Sequence, residues 1–178
     1  MSDSKPLGSN FIFKVLTAGD GGVGKTSLLH RYVNNKFQED MKLTIGVEFF
    51  MKEVDIQDGN NYRLQLWDFG GEAQFKHILP SYVKGATGAI LMIDLTRAIT
   101  LNRLDEWVNL LTTENPKLPI IFVGTKIDLV DNISVSDEYA LEQKVKYDFL
   151  DFIKVSSKTG ENVNKVFENL TEKIEKTI

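Results

Sequence analysis

Apolar runs of strand length alternate along this chain with segments whose apolar residues recur every three or four positions. The first run is Phe11-Ile12-Phe13-Lys14-Val15-Leu16, and a helical stretch from Ser27 to Asn34 follows it. Val47 to Ile56 and Tyr62 to Trp67 flank Asp58-Gly59-Asn60-Asn61, a turn sequence that predicts a hairpin. In its second arm Tyr62, Leu64 and Leu66 alternate with Arg63 and Gln65. Ala89 to Ile93, Ile120 to Val123 and Phe152 to Val155 are unbroken apolar runs, the pattern of parallel strands buried on both faces. Between the runs lie amphipathic segments. Phe75, Ile78, Leu79, Tyr82 and Val83 share a helical face, with Pro80 expected to kink or break that helix. Leu101, Leu104, Val108 and Leu111 form a second stripe, Ser134 to Lys146 a fainter one, and Val163, Val166, Phe167, Leu170 and Ile174 the cleanest. Such alternation predicts an α/β three-layer fold with a mainly parallel sheet, to which the hairpin adds one antiparallel edge strand. Ligands of such sheets bind outside the carboxyl ends of the strands. Residues 1–10, polar with Pro6 and Gly8, are expected to be a flexible N-terminal arm.

Composition narrows the classes of function. The chain has 178 residues, a length that suits one domain, and 42% of them are hydrophobic. Its net charge of −4 argues against a nucleic-acid partner, because a phosphate backbone demands a basic face. With no cysteine, the sequence excludes disulfides, thiolate metal sites, cysteine nucleophiles, prenylation and palmitoylation within these residues. Ser2 stands where myristoylation would need glycine. No signal peptide or membrane-spanning apolar run is evident, so a cytoplasmic protein without its own membrane anchor is expected. Any peripheral attachment would run through a partner or a tail outside this sequence.

The chemistry begins at Gly19-Asp20-Gly21-Gly22-Val23-Gly24-Lys25-Thr26, which fits G-x-x-x-x-G-K-[ST] between a strand and a helix. Glycines let backbone N–H groups close around an anion, and the helix behind, beginning near Ser27, adds its positive dipole end. Lys25 can reach β- and γ-phosphates, and the Thr26 hydroxyl can ligate Mg²⁺. A nucleoside triphosphate is implied, but the loop leaves its base open. Gly124-Thr125-Lys126-Ile127-Asp128, directly after an apolar strand, favours guanine. The Asp128 carboxylate can accept from guanine N1–H and the exocyclic amine, whereas adenine presents an acceptor there. Lys126 can lay its aliphatic stem over the base. Ser156-Ser157-Lys158 can offer N–H groups to the guanine O6. Asp128 therefore disfavours an ATP-dependent kinase.

With these segments the chain resembles a small GTPase of the Ras superfamily over residues 11 to 177. Phosphate loop, Thr44, Asp68-Phe69-Gly70-Gly71, Thr125-Lys126-Ile127-Asp128 and Ser156-Ser157-Lys158 occur in that family's order and spacing. The resemblance implies a P-loop NTPase fold over residues 11–178, with a six-stranded, mostly parallel sheet and about five helices. It implies GTP and GDP as ligands with Mg²⁺, the metal being held by Thr26, Thr44 and, through water, Asp68. It also implies Phe37 edge-on against guanine and the Gly71 N–H on the γ-phosphate. Effectors, exchange factors and activating proteins are the implied partners, and a monomer is expected.

Within the superfamily Thr44-Ile45-Gly46-Val47-Glu48-Phe49, Leu64-Gln65-Leu66-Trp67-Asp68 and Leu91-Met92-Ile93-Asp94-Leu95-Thr96 are similar to Rab segments. Phe49, Trp67 and Tyr82 match the aromatic triad through which Rab proteins meet effectors, which suggests a role in membrane trafficking. Three departures stand out. Thr125 replaces the commoner Asn, as in Rho-type members, and Gly70 gives an Asp-Phe-Gly-Gly run similar to Arf and Roc domains. Glu72 takes the place of the glutamine that orients the attacking water, and Gln74 lies two positions on. Lys25, Gly71 and Glu72 are thus the catalytic candidates. Two functions remain open: a switch that slowly hydrolyses GTP, and a GTP-dependent binding module that does not hydrolyse.

Overall fold

The structure, a computed structural model, describes residues 10–56, 60–71 and 73–178. Its strands are β1 (Asn10–Ala18), β2 (Val47–Val54), β3 (Asn61–Phe69), β4 (Gly88–Asp94), β5 (Ile120–Thr125) and β6 (Asp151–Lys154). Its helices are α1 (Lys25–Asn34), α2 (Leu79–Val83), α3 (Leu104–Thr112), α4 (Asp137–Lys146) and α5 (Val163–Glu175). The strands form one six-stranded sheet in the order β2-β3-β1-β4-β5-β6. Only the β2–β3 pair is antiparallel, with Phe49 opposite Trp67 and Val54 opposite Tyr62, so β2 is the antiparallel edge strand the hairpin predicted. Residues 57–59 of its turn, Glu72 and residues 1–9 of the expected arm lie outside the described residues.

Period-two alternation splits the core into two layers. Every residue of β4 is buried. Ile90 and Met92 pack with Phe13, Val15, Leu28, Val166 and Phe167 beneath α1 and α5. Ala89, Leu91 and Ile93 pack on the opposite face with Leu16, Leu79, Leu104, Trp107 and Phe122. All five apolar positions of the predicted α5 stripe are buried, and the Phe167 ring stacks on Tyr32 at 3.6 Å. Burying such a side chain stabilises by about 1.5–3 kcal/mol, so this stripe supplies much of what holds α5 to the sheet.

Two local expectations change. Pro80 does not interrupt a continuous helix. A 3₁₀ turn over Ala73–Ile78 precedes α2, and Pro80 sits in the first turn of α2, where no intrahelical N–H is needed. In α3 the buried face is Leu104, Trp107 and Leu111, with Val108 only half-buried. α4 buries Ala140 alone, which accounts for its faint stripe, and the Ser136 side chain caps it by accepting from Tyr139 N–H.

Candidate functional site

The loop between β1 and α1 turns on Gly24, whose φ of 102° places it in the left-handed region. No side chain caps α1, so its first-turn N–H groups have no side-chain competitor for an anion. Lys25 is almost fully buried, and its Nζ donates to the carbonyls of Gly19 (2.8 Å) and Asp20 (2.9 Å). Burial lowers its pKa to about 8, although the Asp68 and Asp20 carboxylates pull the other way. A phosphate brought within reach would raise it again. The Asp20 side chain faces elsewhere: its Oδ1 accepts from Trp107 Nε1 at 2.9 Å and lies 3.7 Å from Arg103. At Asp20 only the backbone belongs to the phosphate loop.

Thr26, Thr44 and Asp68 converge. The Thr26 hydroxyl donates to Asp68 Oδ2 and lies 2.7 Å from the Thr44 hydroxyl, which is 3.4 Å from the same carboxylate oxygen. Asp68 is fully buried, and burial raises its pKa, partly offset by the Thr26 hydrogen bond and the Lys25 charge. Its second oxygen, Oδ1, is buried without a hydrogen-bond partner. A buried, unsatisfied carboxylate oxygen is costly, and a cation would satisfy it. Two hydroxyls and one carboxylate are the hard oxygen donors that suit Mg²⁺, which keeps several of its waters. These residues therefore fit the metal. Among the described residues there is no cluster of three or more His, Asp or Glu to compete for it.

Gly71 lies hard against the phosphate loop. A Cβ there would stand 2.4 Å from Gly21 N and 2.6 Å from Gly19 O, so no other residue fits. Gly70 N–H donates to Gly46 O at 2.9 Å, tying this segment to the start of β2. Glu72 and the Gln74 side chain lie outside the described residues.

At the other end, Asp128 Oδ1 accepts from the buried Ser156 hydroxyl at 2.7 Å. Ser156 is a support for Asp128 and does not line the cavity. Thr125 is also buried, and its hydroxyl lies 2.6 Å from Val23 O and 3.1 Å from Ile93 O. Lys126 pairs with Asp94 at 2.7 Å and reaches Gly22 O at 3.2 Å. Ser157 and Lys158 are held by Arg31 of α1, whose guanidinium donates to both of their carbonyls. The Lys158 ammonium pairs with Glu39 at 2.7 Å. Arg31, Asp94 and Arg97 escape the motif reading, because each contacts backbone or another charge remote in sequence. For Asp94 and Arg97 the sequence cue is a charge beside the end of β4; Arg31, inside α1, has none.

One cavity of about 330 Å³ joins these parts. Gly21 to Ser27, Phe37, Thr44, Gly71, Thr125, Lys126, Asp128, Ser157 and Lys158 line it. The aromatic triad lies apart from it. Phe49, nearly half exposed, meets Trp67 edge-on at 5.2 Å, and Trp67 lies 5.5 Å from Tyr82. No helix among the described residues is long and apolar enough to cross a membrane. The Ras family model matches residues 14–176. Members of that family bind guanine nucleotides with Mg²⁺, meet regulators and effectors, and generally hydrolyse GTP. A match over almost the whole sheet, covering each segment that meets at the cavity, shows that this chain belongs to the Ras family of GTP-binding switch GTPases.

Proposed function

We propose that this cavity is the guanine-nucleotide site and that the chain is a Rab-like switch that hydrolyses GTP slowly. The observation that carries the reading is the buried Asp68 carboxylate, whose Oδ1 has no partner and whose Oδ2 meets the converging hydroxyls of the cavity-lining Thr26 and Thr44. The backbone of Asp20 to Gly24 and the first turn of α1, Lys25 to Ser27, cradle the phosphates, with the Lys25 ammonium reaching β- and γ-oxygens. Thr26, Thr44 and, through water, Asp68 would hold Mg²⁺, which would neutralise charge on the phosphates. Asp128 reads guanine, Lys126 lies over its plane, Phe37 meets its edge, and the Ser157–Lys158 backbone serves O6. Thr125 and Ser156 position that end.

The Gly71 N–H contacts the γ-phosphate, and contacts to that phosphate favour the arrangement in which Thr44 and Gly71 stand at the site. Glu72 accepts a hydrogen bond from the attacking water and acts as a weak base, while its negative charge opposes the charge developing on phosphate. Phe49, Trp67 and Tyr82 form the face offered to effectors in the GTP state, as expected for a role in membrane trafficking.

Titration calorimetry with GTP, GDP and ATP, followed by single-turnover hydrolysis of native chain and Glu72→Ala across pH, tests this. GTP and GDP should bind in a Mg²⁺-dependent way with ATP far weaker, and intrinsic hydrolysis should be on the order of 10⁻⁴ s⁻¹. Comparable ATP and GTP affinities would sink the base assignment. Binding with no phosphate release would leave a non-hydrolysing binding module.

A further inference from the structure

An anion-binding loop works only if its N–H groups face the ligand and its carbonyls face away. Every carbonyl from Gly19 to Gly24 is met by a donor in this chain. The ends of the loop are held from within: Lys25 takes Gly19 O and Asp20 O, and Leu28 N–H of α1 takes Gly24 O. The middle is held from outside. Gly21 O accepts from an Arg97 guanidinium nitrogen at 3.0 Å, Gly22 O from Lys126 at 3.2 Å, and Val23 O from Thr125 at 2.6 Å. Arg97 comes from the turn after β4 and Lys126 from the turn after β5.

These two cations share one anchor. Asp94 Oδ2 lies 2.7 Å from Lys126 Nζ and 3.0 Å from Arg97 Nε. Its Oδ1 accepts from the Thr96 backbone N–H at 2.9 Å and the Thr96 hydroxyl at 2.6 Å. The carboxylate is fully buried. Burial alone would raise its pKa, but the Lys126, Thr96 and Arg97 donors outweigh burial and hold it below its ordinary value. The guanidinium packs on the outer face of the loop, 3.4 Å from where a Cβ at Gly22 would stand. Thr125 makes this support more important. Its single proton serves either Val23 O or Ile93 O, whereas a carboxamide carries two donors.

We propose that Arg97, oriented by the buried Asp94, is a positioning residue for the nucleotide. It keeps the Gly21 carbonyl turned out of the phosphate site and, through the shared carboxylate, couples the phosphate loop to the lysine at the base. The inference rests on reading the cavity as a guanine-nucleotide site. Arg97 does not touch the ligand in this arrangement; it sets how long the ligand stays. A hydrogen bond from a charged donor, lost beside a site that must stay pre-ordered, should raise the release rate about tenfold.

The experiment measures release of fluorescently labelled GDP from native chain, Arg97→Gln, Arg97→Lys and Asp94→Asn, with IDP run in parallel. IDP keeps the diphosphate and lacks only the guanine 2-amino group, so the IDP-to-GDP ratio reports on base contacts alone. Arg97→Gln should release GDP about tenfold faster with an unchanged IDP-to-GDP ratio, because the loop and not the base pocket is loosened. Arg97→Lys, which keeps a cationic donor, should recover most of the native rate. Asp94→Asn should speed release more than Arg97→Gln does, because Arg97 and Lys126 lose their shared anion together. If the native chain binds GDP and Arg97→Gln releases it at the native rate, the positioning role alone is overturned. A changed IDP-to-GDP ratio in Arg97→Gln, or a lysine variant no better than glutamine, overturns it too. A native chain that takes up no GDP overturns the nucleotide reading itself, and this inference with it.

Discussion

The two ends of the cavity differ in how completely their polar groups are satisfied. At the base end Asp128 is held by Ser156, Lys126 by Asp94, and the 157–158 carbonyls by Arg31. At the proposed metal end two hydroxyls, of Thr26 and Thr44, crowd one carboxylate oxygen while the other, Asp68 Oδ1, is buried without a partner. The segment leading into that end exposes apolar side chains, Leu43 at 55% and Ile45 at 84%. A satisfied network is rigid and specifies one geometry, whereas an unsatisfied buried oxygen leaves free energy for a ligand to supply. The contrast teaches where a switch can reside. On the proposed reading, the base end is built before the ligand arrives, and the metal end is completed by it.

The contrast can be broken first at the base end. Asp128→Ala should lower GDP affinity on the order of 10³-fold, because two charge-assisted hydrogen bonds to guanine are lost together. Calorimetry measures it, and a loss of less than tenfold would mean that Asp128 does not read the base. At the metal end Asp68→Asn should weaken Mg²⁺ affinity about 10- to 100-fold while nucleotide still binds without metal. Release of labelled GDP against Mg²⁺ concentration reads this directly; an unshifted Mg²⁺ dependence would remove Asp68 from the metal site.

Smaller effects sharpen the same comparison. Thr125→Val keeps the shape but removes the only side-chain donor among the described residues to Val23 O and Ile93 O. It should cost about 2 kcal/mol, a fall of about 4–8 °C in the melting midpoint. Thermal unfolding of the GDP complex checks it, and a midpoint within 1 °C of native, a shift smaller than about 0.5 kcal/mol, would show the hydroxyl to be idle.

The smallest effect concerns acid. Asp94 is held below its ordinary pKa, so the folded state favours the ionised carboxylate. That contribution is complete above the unfolded value of about 3.9 and is lost as pH falls through the folded value. Asp94→Asn should therefore be less stable than the native chain at neutral pH, and the gap should narrow below about pH 4. Urea unfolding across that range tests the sign; a gap that widens in acid would contradict it.

Much of the fold was legible because its strands are short apolar runs and its best helix carries a clean stripe. α5 buries the five apolar positions that its 3.6-residue period marks, and β4 is buried throughout as an unbroken run should be. The turn from 3₁₀ to α at Leu79 was not legible, since Pro80 is compatible either with a break inside a helix or with the start of a new one. Trp107 fits the α3 period with Leu104 and Leu111 as well as Val108 does, and only the packing shows that its rings lie in the core while its N–H reaches Asp20.

For the site the division is sharper. Sequence by itself determined the donor types and their order: a glycine loop ending in Lys25 and Thr26, a threonine at 44, an aspartate at 68, and the Thr125–Asp128 run after a buried strand. Such motifs are legible because local backbone geometry and local chemistry coincide within a few residues. Tertiary structure alone decided that the Asp20 carboxylate turns to Trp107, that Ser156 supports Asp128, and that Asp94 gathers Lys126 and Arg97 onto neighbouring loop carbonyls. Each of these depends on where β4, β5 and α1 meet at the carboxyl edge of the sheet. A charge there finds its partner through space, and its neighbours in sequence do not disclose which partner that is.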